Sequence, residues 1–521
     1  MTTTTTQQPR SALESLMLAM RSKRTAFVVL QSFASGLPLG LVWVAIPDWM
    51  RDIGVDIRVV GLITLAQAPW TFKVLWAPFM DRYVPPFWGR RRGWMAVTQI
   101  ALLALGLMMA GVGQRPEAIW VVGALSMAIA LAAATQDIAI DAYAVEVLRK
   151  DEQGAAAGAR AAIYRAAYSV AGSVAISLAA RLGWPAVNVF LALIYVPMLV
   201  ITWKSPEPDM QAPSPRTLSE AVWQPFLSFI TRPQALEILA FVVLYKLSDQ
   251  LTQSLTRPFL IDMGYNADQR GVVLGIITLI ATFGGAIFGS WLTTLAGLGH
   301  SLWIFGFLQL FSNLGYYLLS ILGRPIGLAL YGAAGFELLA SGMGTGAFSV
   351  LLLRLTEKRF SATQYALFSS LFALPRVVAG PITGFAVNAV GWPTFFLSTL
   401  VIGIPGLLML HRFAPFGVRE PKFEHEGRIA AAPTSRLIGP SIAAAVGLAI
   451  VAALLVAVLD AMQATRANPP AAFDIGAAIW RVSHPTNVGG WVQIGGILAF
   501  AVIGGLFIGA ARVKASSTAS S

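Results

Sequence analysis

The chain has 521 residues, of which 56% are hydrophobic and 12% charged, with a formal net charge of +12 and no cysteine. The charged fraction is about half that of ordinary soluble domains, which excludes a soluble fold of several domains. Without cysteine, disulfides and thiol chemistry are excluded as well. The apolar runs are continuous and near the roughly 20 residues that cross a bilayer as a helix, so they predict an all-α membrane protein and disfavour a β-barrel.

The first residues, 1–26, predict a cytoplasmic tail and a short interfacial helix. MTTTTTQQPRSALESLMLAMRSKR has few apolar residues and no small-residue cleavage site, so we do not expect a removable signal peptide. About fourteen spanning helices follow. Their predicted bounds are 27–49, 57–80, 94–113, 117–148, 153–181, 184–203, 235–263, 268–296, 301–322, 326–353, 361–390, 393–413, 436–460 and 489–511.

The longest polar break within the first twelve spans divides them into two groups of six. This break, WKSPEPDMQAPSPRTLSEAVWQPF, is rich in proline and charge, as linkers are. The predicted organisation is a six-helix half at 27–204, a linker at 205–233, a second half at 234–413, a cytoplasmic loop at 414–435, two extra spans at 436–512 and a disordered tail at 513–521.

Most of the 37 Lys and Arg residues fall on one side of the predicted spans. They occupy both termini, the linker and alternate loops, including the group Arg149, Lys150 and Arg160. By the positive-inside rule this side is cytoplasmic, so both termini are predicted to be cytoplasmic. The net positive charge then follows from topology and attraction to anionic lipid, and we expect no nucleic-acid partner.

The loop between spans 2 and 3, in FMDRYVPPFWGRRRGW, combines a carboxylate with a basic run. Positive-inside anchoring explains the arginines and leaves Asp81 unexplained. A carboxylate at this point can accept hydrogen bonds from arginines or from the N-terminus of a neighbouring helix. We therefore predict a cytoplasmic gate, formed by Asp81, Arg82, Gly89, Arg90 and Arg91.

Four carboxylates lie inside predicted spans 4, 7 and 10. An ionisable group costs about 2.5–3.5 kcal/mol at the bilayer centre on insertion scales, so each is a candidate for function. Asp137 and Asp141 are four residues apart and share one helix face, where two carboxylates cannot both ionise at low cost. Because the four histidines lie at helix borders, carboxylates are the plausible proton carriers. The predicted proton-coupling residues are Asp137, Asp141, Asp249 and Glu337.

Four cations lie in spans 2, 5, 7 and 11, where an anionic substrate would need partners. An arginine offers a bidentate fork and a lysine a point charge. The predicted substrate-binding cations are Lys73, Arg165, Lys246 and Arg376. The alternative is internal pairing, for example of Lys246 with Asp249 or of Asp141 with Arg165.

Trp43 and Tyr143 are further candidates for binding substrate, by stacking on sugar rings, although both residue types are also enriched at membrane interfaces. The segment GMGTG at 342–346 predicts close helix packing or a hinge, because no Lys-Ser/Thr pair follows it as in a phosphate loop. We see no nucleotide-binding motif and no metal-ligand pattern. We therefore expect no cofactor and no metal, with an ion gradient as the energy source.

Two six-helix halves with cytoplasmic termini resemble the major facilitator superfamily. Longer segments, in order over residues 27–413, resemble the AmpG-type muropeptide permeases of Gram-negative inner membranes: FASGLPL, FKVLWAPFMDRYVPPFWGRRRGW, QDIAIDAY, VLYKLSD, GMGTGAF and FSATQYALFSSL. The resemblance implies a major facilitator fold with two extra C-terminal helices. It also implies import of N-acetylglucosaminyl-anhydro-N-acetylmuramic acid bearing a short peptide, by proton symport, in peptidoglycan recycling.

The AmpG-type family is similar to the acetyl-coenzyme A transporters, so an acetyl-coenzyme A-like thioester or a different glycopeptide is the alternative cargo. A membrane-embedded enzyme would need a cluster of His, Cys or Ser-His groups at one membrane face, and none is visible, so we expect no enzyme. A non-transporting sensor would have lost the intramembrane charges. We expect a monomer in the bacterial inner membrane, with an anionic glycopeptide, protons and lipid as its partners.

Overall fold

The computed structural model describes residues 21–55, 64–112, 116–208, 214–230, 232, 234–322, 325–421, 423, 434–467, 473–486 and 488–518. In these ranges all regular structure is helical, which confirms the all-α prediction. The predicted tail and interfacial helix at 1–26 and the loop at 414–435 lie largely outside the described residues.

We number the helices α1 to α14 in chain order and leave the helix inside the predicted linker unnumbered. They are α1 Lys23–Asp52, α2 64–82, α3 Arg90–Ala110, α4 Ile119–Val147, α5 Gln153–Leu182, α6 Trp184–Lys204, the linker helix Leu218–Ile230, α7 Ala235–Asp262, α8 Asp268–Ala296, α9 Leu298–Leu322, α10 Gly327–Leu355, α11 361–390, α12 392–413, α13 Thr434–Ala467 and α14 Val488–Thr518. A short helix, Ile475–Ser483, lies between α13 and α14. Helix α14 extends past the predicted boundary at 512 to Thr518.

Within the described residues, ten helices are long and apolar enough to cross a bilayer. The number is eleven when the linker helix and α7, which meet at a bend of 95°, are taken as one span. The predicted count of fourteen is not reached in this part of the chain. One reason is that α2 and α7 are broken into short helices, whereas the sequence predicts continuous spans.

Lysines and prolines mark the breaks in α2 and α7. In α2, tight turns at Thr64–Gln67 and Lys73–Leu75 alternate with short helices that begin next to a proline. In α7 the chain leaves the helix at Lys246 and again at Leu255. Pro258 has no backbone N–H and cannot bond to the carbonyl four residues before it, which accounts for the second break.

Three hydrophobic clusters organise the core. One lies in the first half and includes Trp49 stacked on Trp184, with ring centroids 5.4 Å apart. A second lies in the later half, where the Phe259 and Phe396 rings are 5.0 Å apart. A third joins Met80 of α2 to residues of the linker helix, α10 and α11. The two halves therefore have their own cores and a shared one.

Glycines allow α8 to cross α10 with its backbone in contact. A Cβ atom at Gly342 would lie 2.5 Å from the Thr282 carbonyl oxygen, and one at Gly289 would clash with the backbone of Met343. Only glycine fits such an approach, which small-residue motifs provide in membrane helices. The close packing predicted for the GMGTG segment is confirmed.

The predicted linker at 205–233 contains a helix that packs on α2, α11 and α14. Gln364 of α11 donates hydrogen bonds to the Pro225 carbonyl at 3.0 Å and the Ser228 hydroxyl at 2.9 Å. The Phe226 and Phe507 rings meet edge to face at 5.0 Å. The apolar residues of VWQPFLSFI thus form a buried face, which explains why this part of the linker is ordered.

Candidate functional site

Asp141 lies between two cations in the first half. Its carboxylate accepts hydrogen bonds from Arg160 of α5 at 2.6 Å and from Lys73 of α2 at 3.4 Å. The three side chains are 11–17% exposed. Arg160 also donates to the Ser32 hydroxyl of α1 at 3.0 Å. The break in α2 places Lys73 against α4, so four helices contribute to one ion-pair site.

Asp137 lies one turn before Asp141 on α4 and is 7% exposed. It accepts a hydrogen bond from the Ser35 hydroxyl of α1. We call Asp137, Asp141, Lys73 and Arg160 the Asp141 cluster. The cluster contains two carboxylates and two cations, so its formal charges balance.

The internal pairing of Asp141 with Arg165, offered as an alternative from the sequence, is not the one in the structure, whereas a role of Arg165 in binding substrate stays a prediction. The sequence placed Arg160 among the cytoplasmic loop charges and offered Arg165 as the partner of Asp141. In the structure Arg165 instead lies over the Phe283 ring of α8, at 5.8 Å from its centroid. Arg160 is one turn and a half earlier on α5, and the end of a predicted span is where boundary errors are greatest.

Lys246 lies at the break in α7, 1% exposed and fully hydrogen-bonded. It donates to Asp249 at 2.8 Å, to Gln309 of α9 at 2.5 Å, and to the Ser341 carbonyl and hydroxyl of α10 at 2.8 and 3.1 Å. An ammonium has three hydrogens, so its donors are all used. The internal pairing of Lys246 with Asp249, offered as an alternative from the sequence, is what the structure contains.

Glu337 of α10 lies next to this site and is 1% exposed. Its Oε1 accepts a hydrogen bond from Gln253 of α7 at 2.8 Å, and Gln253 also donates to the Ser341 hydroxyl at 3.0 Å. Its Oε2 has no hydrogen-bond partner within the described residues. We call Lys246, Asp249, Glu337 and the polar residues Gln253, Gln309 and Ser341 the Lys246 cluster. The predicted carboxylates therefore form two clusters, one in each half.

Asp81 joins the two halves on the predicted cytoplasmic side. It is fully buried and accepts a hydrogen bond from Arg91 at 2.5 Å. It also accepts from the backbone N–H and the hydroxyl of Thr363, at 2.8 and 2.7 Å, and from the Ala362 N–H at 3.3 Å. These amides begin α11, so Asp81 caps the N-terminus of a helix in the other half, where a negative charge is favourable.

Glu146, at the end of α4, completes this connection and was missed from the sequence. It accepts from Arg91 at 2.8 Å, from Arg90 at 2.7 Å and from the Ser361 hydroxyl of the other half at 2.5 Å. Arg149 and Lys150 follow it closely, so the sequence offered an ordinary charged helix end. We call Asp81, Arg90, Arg91, Glu146, Ser361 and Thr363 the gate cluster.

Comparison with known proteins places the chain in a family. The model of the Major Facilitator Superfamily matches residues 28–380. The anhydromuropeptide permease of Escherichia coli strain K12 is 41% identical over 393 residues, which are 74% of this chain and 79% of that protein. The chain belongs to the AmpG-type permeases of the major facilitator superfamily. A putative transporter AmpG 4 of Rickettsia conorii is 28% identical and aligns with 74% of this permease and 94% of its own length.

A solved structure shows the fold of this permease. The bacterial homologue of the iron transporter ferroportin, in an outward-facing state, is 14% identical and superposes with a TM-score of 0.50. The match covers 77% of this permease and 98% of that chain. This superposition agrees with the predicted major facilitator fold, and the family match and the permeases among its relatives make the protein a multi-pass membrane transporter and not an enzyme.

Two other residues of the predicted gate lie beside the gate cluster. Arg82 lies over the Tyr83 ring, 5.4 Å from its centroid. Gly89 precedes α3 with φ of 76°, a conformation that glycine adopts without strain. In this permease Arg90 and Arg91 contact the other half together with Asp81 and Glu146, and Gly89 sets the direction in which α3 begins.

The predicted sugar-stacking residues lie in different places. The Tyr143 hydroxyl donates to the Pro206 carbonyl at 2.7 Å, at the start of the linker. Trp43 packs edge to face against Trp70, with centroids 6.2 Å apart, and both indole nitrogens lack a hydrogen-bond partner within the described residues. The structure does not bring Tyr143 and Trp43 together, and their contacts with substrate stay predictions. The side chain of Arg376 lies outside the described residues.

Proposed function

We propose that this permease imports anhydromuropeptides from the periplasm to the cytoplasm across the bacterial inner membrane, by symport with protons. Both termini are then cytoplasmic, as the distribution of Lys and Arg favours. The proposal is supported by the 41% identity to the anhydromuropeptide permease of Escherichia coli. The glycopeptide cargo of that family carries carboxylates, which require cationic partners.

The observation that carries the proposal is the double pairing of Asp141 with Lys73 and Arg160. Two cations on one partly exposed carboxylate form a site that another carboxylate can occupy. A peptide carboxylate of the cargo would displace Asp141 and bind Arg160 through its planar fork. Asp141 thus takes the place of the cargo anion in the empty transporter.

The gate cluster would control access from the cytoplasm. Asp81 and Glu146, in the first half, accept hydrogen bonds from the first residues of α11 in the second half. In this conformation the connection holds the predicted cytoplasmic side closed. Release of cargo into the cytoplasm requires these hydrogen bonds to break.

Uptake into proteoliposomes tests the proposal. The purified permease, reconstituted with an acidic exterior, is given a labelled anhydromuropeptide in the presence or absence of a protonophore. We expect accumulation that the protonophore abolishes and that unlabelled anhydromuropeptide inhibits. Inhibition by acetyl-coenzyme A alone would assign the alternative cargo, and accumulation that is insensitive to the protonophore would remove proton symport.

A further inference from the structure

Glu337 has no cationic partner among the described residues and, unlike Asp137, lies in a cluster that contains more carboxylates than cations. Asp249 binds Lys246, Asp141 binds two cations, and Asp81 binds Arg91. Glu337 is 1% exposed and is bound by an amide on one oxygen, with Oε2 unpartnered. An ionised carboxylate in such surroundings is very costly, whereas the neutral acid is tolerated.

Lys246 does not supply the missing charge. All its hydrogens are used by Asp249, Gln309 and Ser341. The Lys246 cluster therefore has one cation for two carboxylates, whereas the Asp141 cluster has two for two. Neutrality of this cluster, as the described residues form it, requires one proton. Asp249 holds the ammonium directly, so the proton belongs to Glu337.

We propose that Glu337 carries the transported proton, bound as the neutral acid in the conformation seen here. This inference rests on the proposed symport. The proton enters on Oε2 while the gate cluster is closed, and it leaves to water on the cytoplasmic side after the halves have moved. The ionised Glu337 must then pair with the ammonium of Lys246. For this pair to form, Lys246 has to break its hydrogen bond to one of its present acceptors.

This exchange links proton release to movement of α7 against α10. Gln253 and Asp249 lie one turn apart on α7, so a shift of α7 changes both the amide donor to Glu337 and the partner of Lys246. Among the described residues, the Tyr316 hydroxyl of α9 is a further titratable group that faces Glu337. Helix α8 has no ionisable residue after Arg270. Helix α11 contributes Arg376, which the test below includes.

Glu337→Gln is the decisive variant, because glutamine resembles the neutral acid in shape and cannot release a proton. A gradient of about 1 pH unit supports roughly tenfold accumulation for one proton per cargo molecule. We expect Glu337→Gln to lose this accumulation, to an inside-to-outside ratio of about 1, while it still exchanges labelled for unlabelled cargo. The matched control is Glu117→Gln, a change at an exposed glutamate, which should accumulate cargo like the wild type.

Infrared spectroscopy tests the protonation without any cargo. We expect a carboxylic acid C=O band at neutral pH in the wild type and in Arg376→Met, and its loss in Glu337→Gln. A band that is absent from the wild type and emerges in Arg376→Met would show that Glu337 is ionised and paired with Arg376, which overturns the proposal. Accumulation at the wild-type level by Glu337→Gln would also overturn the proposal. Loss of accumulation in Asp137→Asn, with accumulation retained in Glu337→Gln, would do the same. If the band follows Glu337 and no muropeptide is taken up, the proposed cargo fails and the protonation of Glu337 stands.

Discussion

Lys73 and Arg160 hold one carboxylate from two different helices, so either can be removed without removing the site. We expect Lys73→Met to weaken the binding of an anionic muropeptide by roughly 10- to 150-fold, the effect of losing a charged hydrogen bond worth about 1.5–3 kcal/mol. A cargo whose peptide carboxylates are amidated should lose far less. Isothermal titration calorimetry in detergent measures both affinities.

Arg82→Met is the control for this experiment. Arg82 also lies in the first half, but its guanidinium is over the Tyr83 ring and outside the Asp141 cluster. Its loss should leave both affinities unchanged. Equal losses for the acidic and amidated cargoes in Lys73→Met would make Lys73 a structural residue and would contradict its role in binding.

The crossing of α8 and α10 depends on glycines that face the other backbone. We expect Gly289→Ala to destabilise the protein by about 1–3 kcal/mol, the usual cost of overpacking, because its Cβ would clash with Met343. The melting temperature in detergent should fall, and size-exclusion chromatography of heated samples measures it. Gly284→Ala is the matched control on the same helix, since a Cβ there meets nothing within 4 Å. If Gly284→Ala lowered the melting temperature as much as Gly289→Ala, the loss of stability would come from the glycine-to-alanine change in the helix itself. The crossing of α8 and α10 would then not be its cause.

Most of the helices were predictable because their cause is local. Apolar runs of bilayer length identify α1, α3, α4 and α6 without any knowledge of packing. The breaks at Lys73 and Lys246 were not predictable, because the partners that bind these lysines come from other helices. The linker helix was missed because proline and charge around it outweighed its short apolar stripe.

The site was predicted in its residue types and only partly in its pairs. Intramembrane charge alone selected Lys73, Asp141, Lys246 and Asp249, and these do form ion pairs. Which cation meets which anion depends on helix neighbours far apart in sequence, so Arg160 was missed. Glu146 and its bond to Ser361 join residues more than two hundred positions apart, and no local pattern indicates such a contact.

The gate cluster holds the whole molecule in one conformation, and its loss should change the balance between conformations. We expect Asp81→Asn to weaken the cap of α11 and to favour the state that is open to the cytoplasm. The chain has no cysteine, so spin labels at Lys150→Cys, in the first half, and at Phe416→Cys, just after the last helix of the second half, would be the only ones; both positions are exposed. Pulsed electron paramagnetic resonance should show longer distances in the Asp81→Asn background. An unchanged distance distribution would contradict a gating role.

The two extra helices are expected to support the fold and to add no group to the transport site. α14 contacts the linker helix through Phe507 and Phe226, and none of its residues belongs to the clusters described above. Deleting residues 431–521 should lower the melting temperature and membrane yield more than the affinity for cargo. Phe507→Ala should reproduce part of the stability loss. A truncated protein that is well folded and binds no cargo would refute this expectation.

The glycines of α5 have a consequence for how the halves can turn. Where α5 meets α8, Gly154 and Gly158 face Thr294 and Ser290 so closely that a Cβ on either would press on the other half. Large interlocking side chains would have to change rotamer before two helices could slide. A surface of glycine and small hydroxyl residues has no such ridges. One half can therefore rotate against the other here without changes of side-chain rotamer.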